Sequence, residues 1–202
     1  AGEVYPGYPK YRELQYGHAD GNQWVAAECD VSIRPGWFYH PEEDDKVKTV
    51  DQLTDLYYRS VGHNATLLLN FPVDRNGLIH PTDSLNAVSF HQRVQKELAD
   101  NLLSSAKVSA SDERGGQFKV RAVTDGKYDT YWATNDGVTT ADLTFTFSQP
   151  TKMNRVMIQE YIPLGQRVKS FVVEYKKGDQ WLSVKCNEET TTCLLYTSDA
   201  AD

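Results

Sequence analysis

The residues best suited to chemistry lie close together, between Trp24 and His40. The run is Trp24-Val-Ala-Ala-Glu28-Cys-Asp30-Val-Ser-Ile-Arg34-Pro-Gly-Trp37-Phe-Tyr39-His40. Glu28 and Asp30 are two apart, so on a strand they share one face. Arg34 and His40 can bond hydroxyl groups, and the flat rings of Trp24, Trp37 and Tyr39 can stack on a sugar. The same residues also suit a core strand followed by an ordinary aromatic turn, with Asp30 bonded to Arg34. Residue types alone leave both open.

These side chains need elements to hold them. Trp24 to Ile33 mixes β-branched and small residues, as a short buried strand does. Arg34-Pro35-Gly36 ends it, because Pro35 has no N–H to give and Gly36 tolerates positive φ. Thr49-Val-Asp-Gln52 is a capping-box pattern. Leu53, Leu56, Tyr57 and Val61 follow at helical spacing, which predicts a helix over 50–61 with Gly62 as its stop. Ala65 to Phe71 is a continuous apolar run, of the kind found in a parallel strand covered on both faces. After a loop from Pro72 to Pro81, Thr82-Asp83 caps a helix expected to run through residue 103. Strand, helix, strand, helix across 24–103 resembles the closing quarter of a (β/α)8 barrel, whose full length is roughly 250 residues. His63 and Asn64 precede the second strand, at the end of such a barrel where structural roles dominate.

Beyond a linker at Ser104-Ser-Ala-Lys107 the pattern changes. Short runs rich in Thr, Val, Phe and Tyr follow: Phe118–Val123, Ala141–Phe147, Arg155–Glu160, Ser170–Tyr175 and Trp181–Lys185. Asp125-Gly126, Asn135-Asp136-Gly137 and Lys177-Gly178-Asp179 separate them, as turns separate the strands of an antiparallel β-sandwich. The fold class is therefore α/β plus all-β, with domains at 1–104 and 105–192. Residues 193–202, Cys193 to Asp202, look like translated sequencing-adapter read-through, so the chain is expected to be a fragment.

Composition limits the partners. A net charge of −7 argues against generic nucleic-acid binding. No apolar run reaches the ~18 residues of a membrane span, and no signal peptide is visible. The three cysteines, Cys29, Cys186 and Cys193, have no metal-ligand spacing. Residues 1–23, rich in Tyr, Gly and Pro, read as a loop entering the strand and carry His18 and Asp20. The sequon Asn64-Ala-Thr66 abuts a buried strand and is discounted.

Trp24 to His40, then Ser60-Val-Gly-His-Asn64 through Pro72 and Gly77-Leu-Ile-His-Pro81, resemble the α-L-fucosidases of glycoside hydrolase family 29. The similarity is greatest to the branch acting on α-1,3/1,4-linked fucose. Ala122 to Trp132, with Asn154 to Val156 and Gln159 to Tyr161, resembles discoidin-like (coagulation-factor C-type) domains, which are jelly-roll sandwiches. The resemblance implies a retaining exo-enzyme that removes terminal fucose from fucosylated glycans, in the periplasm or outside the cell. It places Trp37 against the methyl end of fucose and makes Glu28 a candidate acid/base or pocket residue; Arg34, Tyr39, His40 and Trp24 are further substrate-binding candidates by residue type. The family's nucleophile lies in a Trp-Φ-Asp-Gly context and the branch's acid/base in a Gly-Asn-Glu context. Neither occurs in this sequence, so both reacting carboxylates are expected to lie outside this chain. The discoidin resemblance implies a structural calcium near Asp125 and Thr130; no cofactor is required for the reaction. A plain Asp-Gly turn is the other reading of that site. A non-catalytic sugar-binding sandwich, using Tyr131, Trp132 and Tyr161, is the alternative function.

Overall fold

The structure is a computed structural model that describes residue 22 and residues 27–153, 155–165 and 167–184. His18, Asp20, Trp24, Cys186, Cys193 and the 193–202 segment lie outside the described residues.

Strand β1 spans Ala27–Ser32 and β2 spans Ala65–Asn70. They pair in parallel, with Glu28 opposite Thr66, Asp30 opposite Leu68 and Ser32 opposite Asn70. Helix α1, Val50–Ser60, makes the crossover between them. Its capping box is complete: the Gln52 N–H donates to Thr49 Oγ1 at 3.3 Å, and the Thr49 N–H donates to Gln52 Oε1 at 2.9 Å. Asn64, at φ 64°, turns the chain from a short 3₁₀ segment into β2. Asn tolerates this left-handed conformation better than most residues. The sequence position of Asn64 therefore has a backbone reason, at the N-terminal end of the strand.

Helix α2 spans Pro81–Glu97, shorter at its C-terminal end than the sequence predicts. Its cap is His80, not Thr82 or Asp83: the Thr82 N–H donates to His80 Nδ1 at 3.3 Å. Pro81 occupies the first helical turn, where its missing N–H costs nothing. A separate 3₁₀ turn, Leu102–Ser105, follows.

The helices cover one face of the β1–β2 pair. Ile33, Val47 and Leu53 form the buried cluster, with Leu56, Leu69, Phe71 and Phe90 packed against it. The opposite face, bearing Glu28, Asp30, Thr66 and Leu68, is open; Leu68 is 51% exposed. This corrects the expectation that β2 is covered on both faces.

The second half is β-rich. Strand β3, Lys107–Ala110, pairs antiparallel with β4, Leu143–Thr146. Strands β5, Glu174–Lys177, and β6, Gln180–Ser183, form a hairpin. Its turn contains Gly178 at φ +62°, a conformation that favours glycine. Two strand predictions fail. Val120–Thr124 is a 3₁₀ turn, and no named strand covers 155–160. Tyr131 stacks on Tyr161 with centroids 4.6 Å apart, and Phe118 lies 5.1 Å from Tyr131. The Trp132 indole N–H donates to the Asp112 carbonyl at 3.1 Å. These half-buried rings hold the second half together.

Glu97 joins the two halves. It pairs with Arg155, accepts from Tyr58 at 2.8 Å, and pairs with Arg93 at 2.9 Å. The Arg155 guanidinium also lies 3.8 Å over the Tyr58 ring. Hydrogen bonding from Arg93 is the largest influence on Glu97; with Arg155 and Tyr58 it outweighs burial and holds the carboxyl down to about 2. Burial, then the bond to Glu97, pushes the Tyr58 hydroxyl up to about 12. Because the folded carboxyl lies below its ordinary value of 4.5, its stabilisation is present above pH 4.5 and is lost as pH falls through about 2. Water screens the partly exposed arginines, so Glu97→Gln is expected to cost about 1–2 kcal/mol at pH 7. The gap to the parent should shrink steadily in urea titrations at pH 5, 4 and 3. A gap independent of pH would contradict this account.

Candidate functional site

The site is built at the C-terminal ends of β1 and β2. The turn after β1 carries Arg34, Trp37, Tyr39 and His40. The chain after β2 makes a small hairpin, with Val73 bridged to Ile79. Asp74 closes its turn by accepting from the Asn76 N–H at 2.8 Å and the Leu78 N–H at 2.9 Å. The bond from Leu78, then that from Asn76, outweighs burial and holds the Asp74 carboxyl below its usual range.

Arg34 is the centre of the turn, and it is 1% exposed. Its Nε donates to Asp83 Oδ2 at 2.8 Å and its Nη2 to Asp83 Oδ1 at 2.9 Å. Nη2 also lies 2.9 Å from Asp44 Oδ1, and Nη1 donates to the His40 carbonyl at 3.4 Å. Its guanidinium stacks 4.6 Å over the Tyr39 ring. The Asp83 bond, opposed by burial and aided by Asp44, raises the Arg34 pKa further. The expected substrate contact by Arg34 is therefore corrected. Its side chain is enclosed and held by two carboxylates, so it organises the turn from beneath. The bland expectation for Asp30, a bond to Arg34, fails as well, since Asp83 and Asp44 hold that position.

The other predicted residues divide. The Tyr39 hydroxyl donates to Asp44 Oδ2 at 3.3 Å, so Tyr39 belongs to the Arg34 cluster. His40 is exposed, 4.0 Å from Glu42 across its Nδ1. Trp37 is 51% exposed, and its neighbour Phe38 is 77% exposed. Glu28 is exposed on the open face, four residues before the end of β1. At roughly 3.3 Å per residue this is about 13 Å along the strand. Glu28 thus lies well before the point where the turn begins.

Several residues that matter here were given no part in the site by the sequence. Asp83 and Asp44 hold Arg34. Asn70 Nδ2 donates to Ser32 Oγ and to the Trp37 carbonyl, both at 3.1 Å. Lys48 Nζ donates to the Ser32 carbonyl at 2.6 Å. His80 Nε2 lies 3.5 Å from Asp44 Oδ2. The available signal was a polar Asn at the end of an otherwise apolar run, and an Asp in the first turn of the following helix.

The predicted cation position lies in the second half. The Thr130 hydroxyl is 3.0 and 2.8 Å from the two Asp125 oxygens, and the Lys127 N–H donates to Oδ1 at 3.0 Å. Burial pushes the Asp125 carboxyl up. The bonds from Lys127 and Thr130 and the charges of Lys127 and Arg121 overcome this, so its pKa is lowered. The ionised carboxylate and the hydroxyl are hard oxygen donors, the type calcium takes. Among the described residues no cluster of three His, Cys, Asp or Glu side chains is present. Backbone carbonyls would have to complete the shell. Among the described residues no helix is long and apolar enough to cross a membrane.

Comparison with known proteins agrees with this layout. Residues 106–198 match the F5/8 type C domain family, whose members are β-sandwiches. Alpha-L-fucosidase 1 of Arabidopsis thaliana is 38% identical over 179 residues, which is 87% of this chain and 34% of that protein. A proposed α-L-fucosidase from Bacteroides thetaiotaomicron superposes with a TM-score of 0.82 at 45% identity, covering 86% of this chain and 38% of that one. A GH29 fucosidase from Ruminococcus gnavus, solved in complex with fucose, gives 0.78 at 35% identity, covering 84% of this chain and 34% of that one. The chain spans about a third of the length of the curated relatives that it matches.

Proposed function

We propose that this chain, similar to α-L-fucosidases over most of its length, forms one edge of a fucose pocket together with an F5/8 type C sandwich. The observation that carries the reading is Trp37, half-exposed at the C-terminal ends of two parallel strands. In a (β/α)8 barrel that end holds the active site, and the strand face opposite the helices looks inward. The open face of Glu28, Asp30, Thr66 and Leu68 fits such an interior. In this reading Trp37 is the apolar wall for the methyl group of a 6-deoxy sugar, with His40 and Tyr39 at the rim. Glu28 lies deeper, in a supporting role.

The reaction is hydrolysis of terminal α-linked L-fucose with retention, and the α-1,3/1,4 branch is the proposed specificity. Retention uses two carboxyl groups about 5–5.5 Å apart. The sequence contexts of that pair are absent here, so other strands supply them. Fucosylated glycans outside the cytoplasm are the proposed substrates. The 202-residue chain is expected to release no nitrophenol from nitrophenyl α-L-fucoside. A chain lengthened upstream to the size of its relatives is expected to be active. Activity from the short chain would refute the placement of the carboxylates. The alternative of a sugar-binding sandwich gains nothing from Tyr131 and Tyr161, which are engaged with each other.

Asp125 and Thr130 are proposed as two of the oxygen donors for a structural calcium. Its role would be to tie the Asp-Gly turn to the sandwich. Calcium should raise the melting temperature by a few degrees relative to EDTA, by mass action on the folded state. Asp125→Ala should remove that difference; a difference that survives the substitution would place the cation elsewhere.

A further inference from the structure

We infer that Asn70 is the positioning residue for Trp37, acting through its side-chain amide. The inference deepens the proposed function and takes its consequence, though not its test, from the reading of Trp37 as a sugar wall. The Asn70 carboxamide has two N–H donors, and it meets two acceptors at 3.1 Å: Ser32 Oγ and the Trp37 carbonyl. Ser32 Oγ also accepts from the Arg34 N–H at 3.4 Å. The Asn70 backbone carbonyl accepts from the Ile33 N–H at 3.0 Å. Asn70 therefore joins the end of β2 to both ends of the turn, at Ser32–Arg34 and at Trp37.

Arg34 and Lys48 tie other parts of the turn, but neither bonds Trp37. Pro35 lacks an N–H, and Gly36 has no heavy atom within 4 Å of an added Cβ. Among the described residues, the Asn70 bond is the one hydrogen bond that reaches Trp37. A half-exposed indole on a Pro-Gly turn has several ways to sit, and a bond to its own carbonyl selects among them. A ring that must meet a methyl group in van der Waals contact loses that contact if its backbone moves by an ångström.

The test labels the chain with 5-fluorotryptophan and assigns the Trp37 line by Trp37→Phe. Asn70→Asp keeps the shape of the side chain but removes both donors. It is expected to move and broaden the Trp37 fluorine line while the Trp132 and Trp181 lines stay within their widths. Asn70→Ala, which adds no charge, is expected to do the same. A Trp37 line unmoved in both variants overturns the inference. So does collapse of all the tryptophan lines in both, since Asn70 would then serve the fold as a whole. If the Trp37 line moves but removing Trp37 leaves the preference for L-fucose over L-galactose intact, the sugar reading fails and the positioning role stands.

Discussion

Arg34→Met is expected to destabilise the first half of the chain by about 3–5 kcal/mol at pH 7. The reason is what the substitution leaves behind. Asp83 is fully buried, and Arg34 meets both of its oxygens, at 2.8 and 2.9 Å. Without the guanidinium, a buried carboxylate has lost its charge partner, and that desolvation cost dominates. The apolar cluster available to absorb it is small, with Ile33, Val47 and Leu53 at its centre. Cooperative unfolding of this half should therefore shift to much lower urea or disappear. Arg34→Lys should fall between, because an ammonium keeps the charge but not the planar fork. Pairing Arg34→Met with Asp83→Leu should recover most of the loss, since replacing both members of a buried ion pair is often neutral. Failure of the double variant to recover would show that Asp44 and the Tyr39 stack carry more of the turn than Asp83 does.

Trp37→Ala should lower kcat/KM on a fucoside by roughly tenfold in a chain long enough to be active, while the fold persists. Burying a methyl group against an indole contributes about 0.8 kcal/mol for the carbon itself, with further ring contact around it. The sharper signal is discrimination. L-galactose differs from L-fucose only by a hydroxyl on C6, and an apolar wall rejects such an added hydroxyl by about 10²-fold at most. Removing the indole should lose about a tenfold part of that preference. Parallel assays with the two nitrophenyl glycosides measure it. An unchanged ratio would remove Trp37 from the pocket.

Local signals in the chain were legible where chemistry is local. The Thr49–Gln52 capping box set the start of α1, and the apolar run from Ala65 marked β2. The parallel pairing followed from strand, helix and strand in sequence order. What escaped was long-range. Arg34 looks like a hydroxyl donor until Asp83, 49 residues away, is brought to it. Asn70 looks like the polar end of a strand until the Trp37 carbonyl arrives. Phe118–Val123 has strand-like residues but forms a 3₁₀ turn, with the Glu113 carboxylate holding the Val120 N–H at 2.6 Å. His80 took the cap of α2 because Pro81 already suits the first turn, a competition the Thr-Asp pattern concealed. Exposure of Leu68 follows from which face the helices cover, and hydrophobicity alone does not report that.

Helix α2 has one further consequence. Asp83 near its start belongs to the aromatic turn, and Glu97 at its end grips the sandwich through Arg155. Fourteen residues of helix separate them, about 21 Å at 1.5 Å per residue. The β-rich half is thus mounted on a stiff rod, as a bracket on a strut, and does not trail on a leash. A change in the length of this helix would therefore move the β-rich half relative to the aromatic turn.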